Sequence, residues 1–315
     1  MDQIKVSVII PTHNRKQMLA RAVDSVLRQS HPHWELFIVD DGSNDGTEAW
    51  ARTLSDPRIC YLRHSTNQGA CAARNTGIRA ASGDFIAWLD SDDEWWPDKL
   101  ERQLQRFAQT SDPALGVVTC GVIFAREDGK TTLWLPTHRG HVVERLFNQE
   151  KLGVGPQYLL VKRKYLFDPE PLLFDVNMPA RQDLDFTVRL LQRCHLDFVE
   201  APLVTIHHHK GERVWTPERS IQADYYFHEK YRRELEARPL AHSRHHLRTA
   251  ATCIGIGQWA EARAQSKEAI RAYYIDPSAY LWWLFAHTGQ SRRPSMVHLA
   301  ALKVLRRLTF GSASL

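Results

Sequence analysis

Alternation over the first 125 residues constrains the fold most. Short apolar runs, at Val6–Ile10, Trp34–Val39, Arg58–Leu62 and Phe85–Leu89, are separated by segments with helical periodicity. Met18, Leu19, Ala22, Val23, Val26 and Leu27 share one face of the first such segment, a short helix is expected from a cap at Ser43 or Asn44 through Leu54, and Ala70–Ala81 forms another. Neighbouring parallel strands are joined through crossovers, so this pattern builds βα units and a mostly parallel sheet, an α/β fold. Each run also stops at polar side chains: Thr12-His13-Asn14, Asp40-Asp41 and Asp90 to Asp93. In an open α/β sheet ligands bind beyond the carboxyl ends of the strands, so these endings should line one crevice.

The last ending is unusual. Asp90, Asp92, Asp93 and Glu94 place four acids within five positions. Carboxylates this close must meet a cation, pair with bases or stay solvated. Hard oxygen ligands suit Mg²⁺ or Mn²⁺, which bind through one or two carboxylates plus phosphate oxygens, and this points to a diphosphate substrate. The alternative is an acidic start to the helix announced by Pro97, Leu100, Leu104 and Phe107, which Asp98 and Glu101 can also serve.

Composition narrows the class. With 315 residues, 43% of them apolar, the chain can fill the core of a large α/β domain plus an appendage. No apolar run approaches the 18 or so residues that cross a bilayer, Lys5 is the only base before the first strand, and a cytoplasmic protein without a leader is expected. Five scattered cysteines without a C-x-x-C pair imply reduced packing residues. The net charge of +5 gathers toward the end without a nucleic-acid-binding signature, so no nucleic-acid partner is expected. Further strands are expected at Leu115–Phe124 and Phe198–Ile206, with a helix carrying Leu184, Val188 and Leu191. Past Tyr231 the pattern is helical; Gly257 through Asp276-Pro277 resembles one tetratricopeptide-like hairpin, where a stack needs about three.

Four words of sequence then stand in order: Val6–Arg15 (VSVIIPTHNR), Val39–Thr47 (VDDGSNDGT), Asn67-Gln68-Gly69 followed by Ala73–Gly77 (ARNTG), and Leu89–Asp93 (LDSDD). Together they resemble the family 2 glycosyltransferases of the GT-A fold, of the bacterial cell-surface polysaccharide type. The resemblance implies a Rossmann-like GT-A domain over residues 1–230 and a helical C-terminal region over 231–315. It also implies transfer, with inversion, from a nucleotide-diphosphate sugar to a saccharide or lipid-linked acceptor in polysaccharide or glycan assembly. No Q-x-x-R-W motif is present, which favours single-sugar addition. By this resemblance Asp93 is the foremost ligand of Mn²⁺ or Mg²⁺, Asp92 lies at the ion and ribose, and Asp90 is a ribose or supporting partner. Pro11, Thr12 and His13 can offer a surface to the base, Asp41 can accept from a ring N–H as in UDP or dTDP donors, and Arg74 can meet phosphate or base. An inverting transfer needs a base opposite the leaving group; Asp183 is the candidate and Asp185 the second choice, although Gln182 stands where the family carries Glu. Asp183 can alternatively be a helix-flanking acid. Two other readings are a nucleotidyltransferase, against which the missing glycine- and lysine-rich loop speaks, and a nucleotide-sugar-binding regulator without catalysis.

Of His207-His208-His209, adjacent strand residues alternate faces and cannot all reach one ion; by the resemblance His209 lies near the metal. The stretch His298–Phe310 carries Leu299, Leu302, Leu305 and Leu308 along one stripe, with Lys303, Arg306 and Arg307 beside it. Such a helix packs on its own domain or in a dimer, or rests on anionic lipid as a peripheral contact at the inner face of the membrane.

Overall fold

The computed structural model describes residues 3–148, 150, 152–208, 216–288 and 296–310, excepting the side chains of 296, 297, 299 and 310. In chain order the elements begin β1 Val6–Thr12, α1 Lys16–Leu27, β2 Trp34–Asp40, α2 Thr47–Ala51, β3 Ile59–Arg63, α3 Ala70–Ala80, β4 Phe85–Trp88 and β5 Glu94–Trp95. They continue through α4 Lys99–Gln109, β6 Leu115–Ala125, β7 Thr131–Trp134, α5 Val143–Phe147, β8 Leu160–Lys162, α6 Lys164–Phe167, α7 Gln182–Leu191 and β9 His195–His207. Helices complete the chain: α8 Pro217–Lys230, α9 Arg232–Glu236, α10 Pro239–Gly255, α11 Trp259–Ala272, α12 Pro277–Thr288 and α13 Met296–Phe310. Two compact units result, one of Met1–Val142, Leu152–Val176 and Gln182–Gly211, the other of Val143–Lys151, Asn177–Arg181 and Glu212–Leu315.

The first unit is a mixed sheet in the order β3-β2-β1-β4-β8-β6-β9-β5, with β7 beside β6. Strands β1 to β4 are parallel, whereas β8 runs against both β4 and β6. All of β1 is buried, as expected for a strand covered on both faces. Val6, Val8 and Ile10 join Leu19, Ala22, Val23 and Val26 of α1 in one apolar cluster. Ile9, on the other face, meets α3 at Gly77, where an added Cβ would lie 2.4 Å from Ile9 Cγ2; only glycine lets the helix come this close.

Two local expectations change. The cap of α2 is Gly46 in the left-handed region (φ 83°), because Ser43 Oγ instead accepts the Asn14 N–H and Asp45 Oδ1 accepts from Thr47. Glu94 and Trp95 form the short strand β5 on β9 before α4 begins, with Asp98 at its cap position and Glu101 in its first turn.

The second unit is helical. Leu247, Ala250, Ile254, Ala262, Ala269, Ala279, Trp282, Ala286 and Leu302 form its core, the alanines letting helices approach closely. The expected stripe on α13 divides: Leu302 is buried and Leu305 packs against the core, while Lys303, Val304, Arg307 and Leu308 face outward. Among the described residues no helix is long and apolar enough to cross a membrane.

Candidate functional site

Strand order reverses at β1. From β1 the chain moves outward to β2 and β3, then returns through α3 to β4 on the other side of β1. Loops after neighbouring parallel strands therefore diverge at the β1/β4 edge and open a crevice, the switch point where α/β sheets take ligands.

The acidic loop after β4 is held by cations from α1 and α3. Arg74 Nη2 donates to Asp90 Oδ1 at 2.6 Å and Arg15 Nη1 to Asp92 Oδ2 at 2.7 Å. Arg21 Nη2 reaches the Asp92 carbonyl at 2.5 Å, and the Asp93 N–H turns back onto the Asp90 carbonyl at 3.0 Å. Asp93 is only 3% exposed and accepts the His207 N–H at 3.2 Å. Burial, then the carboxylates of Asp90 and Asp92, push its pKa well above the ordinary carboxylate range, against the opposing pull of the His207 N–H and Arg21. A cation would relieve that repulsion, and oxygen donors suit a hard divalent ion. Among the described residues these acids do not bring three ligand oxygens within 4.8 Å of one another, so such an ion would take part of its shell from phosphate or water.

Beside them, the loop after β1 is stitched to the end of β2. His13 Nδ1 donates to the Asp41 carbonyl at 2.9 Å, leaving Nε2 to accept from Asn14 Nδ2 at 3.1 Å. The buried Asp41 carboxylate draws in the loop before α3: its Oδ1 meets His64 Nδ1 at 2.7 Å and the Gln68 N–H at 2.9 Å, and its Oδ2 meets the Gly69 N–H at 2.6 Å. One further donor can still be accepted on Oδ2, since a carboxylate has about four lone-pair sites. Pro11 and Thr12 are buried at the strand end. Thr12 Oγ1 and Arg74 Nε are buried with no hydrogen-bond partner among the described residues, polar atoms of the kind a bound ligand satisfies.

Asp183 is exposed in the first turn of α7, its Oδ1 accepting the Leu184 N–H at 2.9 Å. It lies near enough to the acidic loop for its charge to act on both Arg74 and Tyr158. Burial, then the charges of Asp93, Asp183 and Asp90, raise the Tyr158 hydroxyl well above its usual pKa and keep it neutral. Asp185 is fully buried and bound by Arg189, which removes it as an accessible base. His209 lies outside the described residues. The structure thus assembles Pro11, Thr12, His13, Asp41, Arg74, Asp90, Asp92 and Asp93 at one sheet edge, and adds Arg15, Arg21, His64 and Tyr158, which sequence reasoning missed.

Comparison with known proteins agrees with this geometry. A family profile described as "Glycosyl transferase family 2" matches residues 7–167. WcaA of Escherichia coli strain K12, named for glycosyl transfer in colanic acid biosynthesis, is 30% identical over 240 residues, 73% of this chain and 82% of that one. A second E. coli protein, the UDP-Glc:alpha-D-GlcNAc-diphosphoundecaprenol beta-1,3-glucosyltransferase WfgD, is 44% identical over 104 residues, 33% of this chain and 41% of that one. This chain therefore spans less than half of WfgD. Among solved structures, the mannosyltransferase PcManGT of Pyrobaculum calidifontis, in complex with GDP-Man and Mn²⁺, superposes with a TM-score of 0.56 at 19% identity, over 96% of this chain and 82% of that one. Its likeness shows a shared GT-A fold.

Proposed function

Since the chain belongs to glycosyl transferase family 2, we propose that it moves a sugar, with inversion and one residue at a time, from a nucleotide-diphosphate donor to a saccharide or lipid-linked acceptor in bacterial polysaccharide assembly. The observation that carries this reading is the meeting of Asp90, Asp92 and Asp93 with Arg74 at the β1/β4 edge, where a diphosphate needs both a cation site and a positive side chain. In this reading Asp93 and Asp92 hold Mn²⁺ or Mg²⁺. When bound, the ion supplies Lewis-acid stabilisation of the charge that collects on the departing diphosphate. PcManGT, named with Mn²⁺ and a diphosphate sugar, supports that assignment by analogy of fold.

The protein's own groups do the rest. Pro11, Thr12 and His13 flank the base, and the free site on Asp41 Oδ2 accepts a ring N–H, which uracil or thymine offers; the UDP-Glc in the name of WfgD supports a uridine donor. Arg74 turns its buried Nε and remaining N–H groups to phosphate while Asp90 holds it in place. Asp183 takes the acceptor hydroxyl's proton as that oxygen bonds to the anomeric carbon and the carbon–phosphate-oxygen bond breaks with its electron pair going to the diphosphate. Exposure at the start of α7 leaves Asp183 open to the acceptor. Catalysis belongs to the sheet unit, and the helical unit, which takes in α8 as well as residues 231–315, is the appendage. On α13 the outward row of Lys303, Val304, Arg307 and Leu308 suits an anionic cytoplasmic leaflet, where a lipid-linked acceptor resides.

The deciding experiment compares Asp183→Asn with the parent for donor binding and for transfer. Unchanged Mn²⁺-dependent UDP binding with turnover reduced about 10²–10⁴-fold supports the assignment, and unchanged turnover removes Asp183 from the role. Flotation with anionic vesicles tests the lipid contact, using Val304→Glu with Leu308→Glu, which spare the buried face of α13.

A further inference from the structure

Outside the sheet-edge site, the helical unit contains a second convergence of ligating side chains. His228 on α8 faces His242 and His246, which stand one turn apart on α10 and so share a face. Their three rings form a nearly equilateral set, with centroids 5.1 Å (His228–His242), 5.2 Å (His228–His246) and 4.9 Å (His242–His246) apart. One ligand nitrogen from each lies within 4.8 Å of the other two, the only such grouping of three ligating side chains among the described residues.

The tautomers can be read from the partners. His246 Nδ1 lies 2.8 Å from Gln265 Oε1, and the Gln265 amide is oriented by its Nε2, which donates to Glu261 Oε1 at 3.0 Å and to the Tyr225 hydroxyl at 3.1 Å. An amide oxygen can only accept, so Nδ1 of His246 carries the proton and Nε2 keeps its lone pair. This relay from Glu261 and Tyr225 through Gln265 is the kind of outer support that fixes a metal-binding imidazole. His228 Nε2 and His242 Nε2 lie 2.9 Å apart, two basic nitrogens facing one another across a single shared proton. Burial lowers the pKa of all three rings, that of His242 to about 4, which leaves them neutral near pH 7. The adjacent His245 is directed elsewhere, its Nε2 on the Asp224 carbonyl at 3.0 Å.

These rings open onto a cavity of about 510 Å³ that also contains Glu236 and Glu268. We propose that His228, His242 and His246 bind a borderline divalent ion, Zn²⁺ by the nature of the donors, as a clip that fastens α8 to α10. Three neutral imidazoles suit Zn²⁺ rather than the hard ions that oxygen clusters take. In a tetrahedral zinc site the nitrogens stand about 3.3 Å apart, against 2.9 Å for His228 Nε2 to His242 Nε2 and at most 4.8 Å for the whole set here. On binding, the ring that carries the Nε2 proton between His228 and His242 shifts it to its own Nδ1, so all three imidazoles stay neutral, and Glu268, whose charge acts on all three rings, or a water completes the shell.

The test uses full-length, tag-free protein stripped of metal and held in excess Mg²⁺. Titration with Zn²⁺ should show one equivalent bound and a rise in melting temperature, and Co²⁺ in its place should give the intense visible bands of a four-coordinate nitrogen-rich site. His242→Gln and His228→Gln should abolish both signals, whereas His245→Gln and Asp93→Asn should retain them. Gln265→Leu keeps all three imidazoles and should weaken Zn²⁺ about 10- to 100-fold; it decides the matter should a histidine variant fail to fold. Absence of Zn²⁺ binding by the parent, parental affinity in the folded histidine variants, or unchanged affinity in Gln265→Leu would overturn the proposal.

Discussion

The sheet-edge acids and the histidine cluster solve the same problem, concentrating polar groups away from water, in opposite ways. At the sheet edge the groups are charged, contiguous in sequence and compensated by cations: Asp90 by Arg74 and Asp92 by Arg15, with Asp93 the carboxylate whose ionisation is resisted. In the helical unit the rings are neutral and come from helices distant in sequence. Charge held without full compensation costs stability, so it persists where a ligand uses it; neutral imidazoles carry no such cost near pH 7.

Asp93→Asn should have the largest effect. Transfer is expected to fall about 10²–10³-fold, the scale for losing a charge-stabilising group. The ion-free protein should nevertheless melt higher at neutral pH. A carboxyl whose folded pKa is raised keeps its proton longer in the native state, so its contribution to stability declines as pH climbs through the window above the ordinary value of 3.8. Asparagine removes that decline. Loss of transfer with no gain in ion-free melting temperature would break the contrast between the two centres.

Lys99 asks whether that cost is general to buried charge in the first unit. It is fully buried without an ion pair among the described residues, donating to Gln103 Oε1 at 2.8 Å with its Nζ 4.0 Å from the Trp95 ring centre. Burial depresses its pKa from 10.5 to about 8, only slightly offset by Cys120. Below pH 8 the native state carries the penalty in full; between about 8 and 10.5 it sheds the proton before the unfolded chain does, and stability from this group rises. Lys99→Met should therefore stabilise the fold at pH 7 by roughly 1–3 kcal/mol, measured by urea unfolding, and flatten that alkaline rise. Next in size, Arg74→Lys retains the charge and loses the planar donor set; kcat/KM for the donor should drop about 10- to 100-fold, from losing about 1.5–3 kcal/mol of charged hydrogen bonding, with little change in fold stability.

How legible each region was follows from how its contacts are spaced. The strands β1 to β4, the helices α1 and α3, and the acids after β4 lie in continuous runs whose period or spacing declares them. Strand β5 escaped because two residues carry no period, and Glu94 and Trp95 are strand only through Thr205 and Val204 far along the chain. Arg15 was part of a recognised word, yet its partner Asp92 is brought to it by the sheet. The cap of α2, expected at Ser43 or Asn44, was misplaced because Ser43 Oγ is taken by the Asn14 N–H, a tertiary partner, and the helix begins only at Thr47. His228, His242 and His246 showed no ligand motif, since an i, i+4 histidine pair is ordinary until another helix supplies the third ring.

The smallest expected effect tests whether the histidine cluster depends on the apolar core of its own unit. Trp282 is fully buried among the helical core residues, and its Nε1–H donates to Thr309 Oγ1 at 2.8 Å, joining α12 to α13. Trp282→Phe removes that donor and some volume, so unfolding should cost about 1–2 kcal/mol less. Adding Thr309→Val should recover part of the loss, because the hydroxyl no longer needs a partner, and the coupling energy from the four proteins isolates the bond from the volume. Since His228, His242 and His246 are carried by α8 and α10, the Trp282→Phe variant should retain the parental Zn²⁺ affinity while it is folded. A parallel fall in affinity would mean that the cluster is held by the packing of α12 and α13, and that its independence from the apolar core is wrong.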